Sequence, residues 1–157
     1  MTMPRFWHDL QIGERFTTEN RILSEAAILE FAKEFDPQPY HLDRAAARES
    51  IFGDLCASGW QVSATVMCLV NQALHSQEVV VVEIAAVPSM RWKAPVFADD
   101  SLSAEIELTD LGSSSAPDQP IAVEARVEAY NQHKAVVVTL QIRLLIRQAE
   151  GAPEYAA

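Results

Sequence analysis

The chain has 157 residues, 49% of them hydrophobic and 22% charged, which suits one domain with its own core and excludes a disordered or fibrous chain. Its formal charge of -10 at pH 7 argues against a nucleic-acid backbone as partner of the whole chain. A long anionic ligand such as a coenzyme fits only where positive side chains gather locally.

The opening segment, MTMPRFWHDLQIGERF, has no basic flank followed by an apolar stretch, so no signal peptide is expected and the cytoplasm is the default location. Arg15 to Leu23 alternates loosely and reads as a first strand. Ser24 is placed to cap a helix in which Ala26, Leu29, Ala32 and Phe35 recur at helical spacing. Asp36-Pro37-Gln38-Pro39 cannot continue that helix, because each proline lacks a donor and restricts the residue before it. A rigid turn follows, and Asp43 can cap a second short helix running to Arg48.

Ser58-Gly59 opens the most apolar run, Trp60 to Leu74, read as a helix buried on nearly every side. It is too short for a bilayer and carries Gln61, Asn71 and Gln72, so no membrane partner is expected. Cys56 and Cys68 suit neither a zinc site nor a redox pair and read as reduced, packed thiols. The second half is β-rich: Val79 to Val87, Met90 to Val96, Ser101 to Leu108, Ile121 to Tyr130 and Val136 to Arg147. Gly112 to Pro120 is a loop, and Asn131 to Lys134 a hairpin. The expected class is α+β, a curved antiparallel sheet wrapped around one long helix. One such sheet leaves its flanks partly uncovered, so a homodimer is expected.

Chemistry, if present, belongs to the turn from Asp36 to His41. Two prolines stiffen the segment between a carboxylate and an imidazole five positions apart. Rigidity matters, because two acid/base groups must be held within reach of one substrate or water. Phe35 and Tyr40 are expected to half-bury the carboxylate. At the start of the apolar helix, Ser58 reads as a cap, while the free Gly59 N–H can hold an oxyanion.

The segment FAKEFDPQPYHLDRAAARESIFGDLCASGW resembles the hydratase-2 motif of MaoC-like dehydratases, the (R)-specific enoyl-CoA hydratase family. That motif runs F-A-x-x-[ST]-G-D-x-N-P-[IL]-H-x-D, then a phenylalanine, then [AV]-H-G-M. Met90 to Asp100 and Glu128 to Gln132 resemble the family's PV-x-x-GD element and its N-Q hairpin, so the likeness covers about Phe6 to Arg147. It implies a single hotdog domain with its core at about 6–147 and a flexible tail at 148–157. It also implies hydration of a 2-enoyl thioester, or the reverse, with acyl-CoA as the substrate and no metal or redox cofactor. Asp36 would take a proton as a shared water attacks C3, and His41 would orient that water and deliver the proton to C2. Gly59, Ser58, Trp60 and Gln38 would bind the substrate.

Departures from the motif fall around the site. Phe35 replaces its glycine, Gln38 its asparagine, Ser58 its histidine and Trp60 its methionine. These changes bear on the shape of the pocket, and Trp60 could fill an acyl tunnel or point into the core. His8, His75 and His133 are isolated and read as surface residues. Arg91 and Lys93, at i and i+2 of one strand, would share a face and read as solvated charge, or as contacts to a coenzyme phosphate. The alternatives to a hydro-lyase are a hotdog thioesterase and a non-catalytic acyl-CoA-binding protein.

Overall fold

In the computed structural model, which describes residues 2–114 and 116–151, the apolar run after Ser58 is helix α4 (Gly59–Ser76). Val62, Val66, Leu69, Val70, Ala73 and Leu74 recur every three or four residues and are all buried. They face a six-stranded antiparallel sheet. Its strands are β1 (Arg15–Thr17), β2 (Arg21–Ile22), β3 (Val81–Trp92), β4 (Ser101–Asp110), β5 (Ile121–Tyr130) and β6 (Val136–Ile146). Their order is β1-β4-β5-β6-β3, with β2 also pairing with β4. Along β4 to β6 burial alternates with period two, so Ile106, Leu108, Val123, Val127, Leu140, Ile142 and Leu144 point at the helix. This is the hotdog arrangement: a curved sheet closing on one long helix.

The first expected strand is two short ones. At Thr18 the hydroxyl accepts from the Ala104 N–H at 2.8 Å, where a ladder partner would otherwise be. In the other direction, the two runs on either side of Pro88 are one strand. Proline has no donor to give a ladder, and β3 tolerates it as an edge strand whose register shifts between Ala86 and Ser89. That strand ends at Trp92, so Lys93 to Val96 leave the sheet and cross the start of α4, where the Ala57 N–H donates to the Val96 carbonyl at 2.8 Å.

Three short α-helices precede α4. Helix α1 (Glu25–Phe35) is capped by Ser24, whose Oγ accepts from the Ala27 N–H. Helix α2 (Pro39–Leu42) is a single turn, and α3 (Arg44–Arg48) is capped by Asp43 through the Ala46 N–H. Arg44 binds Glu25 and Asp54 at 2.9 Å each, tying α1, α3 and the following loop into one unit.

Burial of α4 is one-sided rather than complete. Trp60, Ala64, Asn71 and His75 form an exposed stripe along it, because the sheet closes over only part of its circumference. Gln148, at the start of the expected tail, donates to the carbonyls of Ala116 and Gln119; residues 152–157 lie outside the described residues. No helix among the described residues is long and apolar enough to cross a membrane.

Candidate active site

Helix α1 stops at Phe35 because Pro37 follows, and Asp36 becomes its C-cap, donating its N–H to the Ala32 carbonyl at 3.1 Å. Pro39 then starts α2, where a missing N–H costs nothing. Gln38 bridges the two helices through its backbone alone, donating to the Asp36 carbonyl at 2.8 Å and accepting from the His41 N–H at 2.9 Å. The reversal brings the Asp36 and His41 side chains together, with Oδ2 of the carboxylate 3.5 Å from Nε2 of the ring.

His41 is buried and its Nδ1 lies 2.6 Å from the Cys56 carbonyl oxygen. A carbonyl only accepts, so Nδ1 carries the hydrogen. Nε2 is then the ring nitrogen turned toward the carboxylate. Tyr40 packs edge-on against the imidazole with centroids 4.5 Å apart, and Phe52 packs on Tyr40 at 5.0 Å. Burial, with the Asp54 charge adding to it, pushes the Cys56 thiol up to about 11. It stays protonated near neutrality, which removes it as a nucleophile beside the histidine.

The third component is the start of α4. Ser58 is fully buried; its Oγ donates to Asp36 Oδ2 at 2.8 Å and accepts from the Trp60 N–H at 3.3 Å. The Gly59 N–H, in the first turn, has no acceptor within the helix. A Cβ built on Gly59 would lie 2.5 Å from the Trp92 ring, so the indole rests directly on the glycine. Trp92 is held there by its Nε1–H, which donates to Ser63 Oγ at 3.0 Å, and Trp60 meets it edge-on with centroids 5.1 Å apart.

These groups open into a cavity of about 350 Å³. Asp36 and His41 lie in its wall with Gly59 and a ring of Tyr40, Phe52, Trp60 and Trp92; Val62, Val96 and Val137 add an apolar surface. Asp36 and Lys93 are the acidic and the basic side chain of that wall, with His41 beside the carboxylate.

Of the six expected site residues, Asp36, His41, Gly59 and Trp60 line the cavity, and Ser58 and Gln38 do not. Ser58 sits behind the carboxylate, and the Gln38 side chain is exposed. Phe35 is 65% exposed and packs back on Phe31, one turn earlier, so it neither covers Asp36 nor fills the cavity. Trp60 does not enter the core. Arg91 and Lys93 do not act as a same-face pair, because β3 ends between them; Lys93 lines the cavity and Arg91 does not.

Trp92 is the residue missed. Its neighbour Met90, two places back on β3, shares its contact with Ser63, a juxtaposition set by the wrap of the sheet and invisible in the local pattern. The hairpin motif has a supporting role: Gln132 Nε2 donates to Asp100 at 2.7 Å, and Asp100 accepts from the Phe97 N–H, fixing the end of the 93–100 segment that walls the cavity. Among the described residues, no group of three or more His, Cys, Asp or Glu side chains is placed to hold a metal ion.

A protein-family model described as MaoC like domain matches residues 9–133. The Bacillus subtilis (strain 168) protein YdeM, itself uncharacterized, is 26% identical over 141 residues, covering 89% of this chain and 97% of YdeM. Among solved structures, the MaoC-like dehydratase from Rhodospirillum rubrum superimposes with a TM-score of 0.81 at 34% identity, covering 92% of this chain and 98% of that one. The (R)-hydratase from A. caviae involved in PHA biosynthesis shares the fold, with a TM-score of 0.67 at 23% identity and coverage of 89% and 98%.

Proposed function

Because this chain belongs to the MaoC-like domain family, we propose that it is a hydro-lyase that adds water to a 2-enoyl-CoA or removes it from the 3-hydroxyacyl-CoA. The observation that carries the reading is the facing of Asp36 Oδ2 and His41 Nε2 across 3.5 Å in the wall of an apolar cavity. With Nδ1–H committed to the Cys56 carbonyl, both facing atoms are acceptors in the neutral tautomer of the ring. The species that complements two acceptors is a water giving one hydrogen to each, which leaves its oxygen lone pair free for an electrophile.

In hydration that oxygen bonds to C3 while its proton passes to Asp36. The π electrons of the C2–C3 bond move toward the thioester carbonyl, whose growing charge the Gly59 N–H meets at the helix N-terminus. Asp36 then passes that proton to His41 Nε2, 3.5 Å away, and His41 delivers it to C2 as the carbonyl reforms, so the net addition is one water. Dehydration is the same path reversed. Lys93, at the wall of the cavity, suits an anionic part of the coenzyme. A cytoplasmic location and a part in acyl-CoA metabolism belong to this proposal.

The test is a panel of 2-enoyl-CoA thioesters, followed by loss of the absorbance of the conjugated double bond. The reading expects that loss with at least one member. Release of free CoA at the same rate would mean thioester hydrolysis instead, and tight binding without turnover would mean an acyl-binding protein.

Trp60 tests how the wall sets the substrate. At 59% exposure it lies at the mouth, so Trp60→Ala should change stability by no more than about 0.5 kcal/mol. The parent should favour short acyl chains and the variant should accept longer ones, read as kcat/KM against chain length. An unchanged profile in a folded variant refutes a gating role for this indole.

Assembly as a homodimer, or a higher even oligomer, belongs to the same proposal. A second copy would cover the open stripe of α4 and the unpaired edge of β3, which exposes Val87 and Trp92. Light scattering at micromolar concentration should give at least twice the chain mass, and a stable, active monomer would contradict it.

A further inference from the structure

We infer that Ser58 is a positioning residue, which holds the Asp36 carboxylate in one orientation so that a fixed oxygen faces the reacting water; this rests on the hydro-lyase reading. The Ser58 Oγ–H donates to Asp36 Oδ2 at 2.8 Å, the same oxygen that lies 3.5 Å from His41 Nε2. Among the described residues, no other side chain donates to this carboxylate. Asp36 ends α1 as its C-cap and its side chain is about a quarter exposed, so without the serine its χ angles are restrained on one side only.

The serine is itself fixed. It is fully buried, it is the N-cap of the 18-residue helix α4, and its Oγ accepts from the Trp60 N–H at 3.3 Å. That bond polarises the hydroxyl, because the N–H belongs to the positive end of the helix. A rigid helix thus reaches the carboxylate through one hydroxyl, across 22 positions of sequence. Ser58 does not line the cavity, so it acts through Asp36 and not on the substrate.

A cap and a positioning residue respond differently to two substitutions. Glycine is nearly as good an N-cap as serine and alanine is much worse. Ser58→Ala should therefore melt at a lower temperature than the parent, and Ser58→Gly should stay close to it. Neither variant has a hydroxyl for Asp36. Both should lose about 10-fold or more in kcat with KM little changed, since a lost hydrogen bond to a charged group is at stake. Added to Asp36→Asn, Ser58→Ala should cost nothing further in turnover.

Steady-state kinetics with the best enoyl-CoA, alongside thermal unfolding of the parent and all variants, decides it. Folded Ser58→Gly with parental kcat leaves only the capping role and overturns the inference, while the hydro-lyase reading survives through the activity of the parent. A rise in KM at constant kcat overturns it too. A parent that hydrates no enoyl-CoA overturns the reading and this inference together.

Discussion

Replacing Asp36 by Asn should lower hydration by about 10²-fold or more, and His41→Ala should do the same. Asparagine keeps the size and the turn, and its amide still has a carbonyl oxygen to accept Ser58, but it cannot take a proton. Alanine at 41 removes Nε2 and leaves the Cys56 carbonyl, now 2.6 Å from nothing, without its donor. If both groups act on one water, the double variant should be little worse than the poorer single one, because residues working as a unit are not additive. His41→Ala should also lose stability, by about 1–3 kcal/mol, because it empties a buried site and orphans a carbonyl. Asp36→Asn should fold as the parent does. His133→Ala, at an exposed position of the hairpin that does not line the cavity, is the control and should leave turnover intact. Kinetics on proteins shown to be folded checks all four, and near-normal hydration by Asp36→Asn would remove the carboxylate from the mechanism.

A single methyl group at Gly59 should have the next largest effect. The Cβ would lie 2.5 Å from Cε2 and 2.9 Å from Nε1 of Trp92, closer than atoms can pack. Something has to move. Either the indole swings out and gives up its bond to Ser63, or the first turn of α4 shifts and carries the Gly59 N–H away from the place proposed for the thioester carbonyl. Overpacking of this kind costs about 1–3 kcal/mol, and displacing an oxyanion donor by about 1 Å can cost 10²-fold in rate. Gly59→Ala is therefore expected to unfold at a lower temperature and to turn over about 10–100-fold more slowly. Trimming the ring with Trp92→Phe in the same chain should recover part of both losses. Unchanged melting and turnover in Gly59→Ala would show that the indole does not press on the glycine in solution.

The features legible in the sequence are the ones that local physics decides. Ser24 and Asp43 cap because a short polar side chain before an apolar run has an N–H to meet. The α4 run and the alternation in β4 to β6 declare their periods within a few residues, and Pro37 with Pro39 forces the reversal that pairs Asp36 with His41. What escaped is set by distance. Trp92 reaches Gly59 only because the sheet curls over the helix, and Ser58 finds Asp36 only because two helices meet end to end. Phe35 looked like a wall of the site by adjacency to Asp36, yet an i, i+4 contact with Phe31 takes its ring elsewhere. Pro88 suggested a break between two strands; at an edge, a register shift absorbs it and the strand runs on.

If Asp36 and His41 direct one water to C3 of an enoyl thioester, labelled solvent reads the fate of that water directly. The best enoyl-CoA of the panel is turned over in oxygen-18 water, and in a parallel sample in deuterium oxide, and the products are weighed by mass spectrometry. The expected product is an intact thioester carrying one heavy oxygen as a hydroxyl on C3 and one solvent deuterium on C2, with both labels lost in Asp36→Asn. Heavy oxygen in a free carboxylate beside unlabelled C2 and C3, with the coenzyme released, would contradict it.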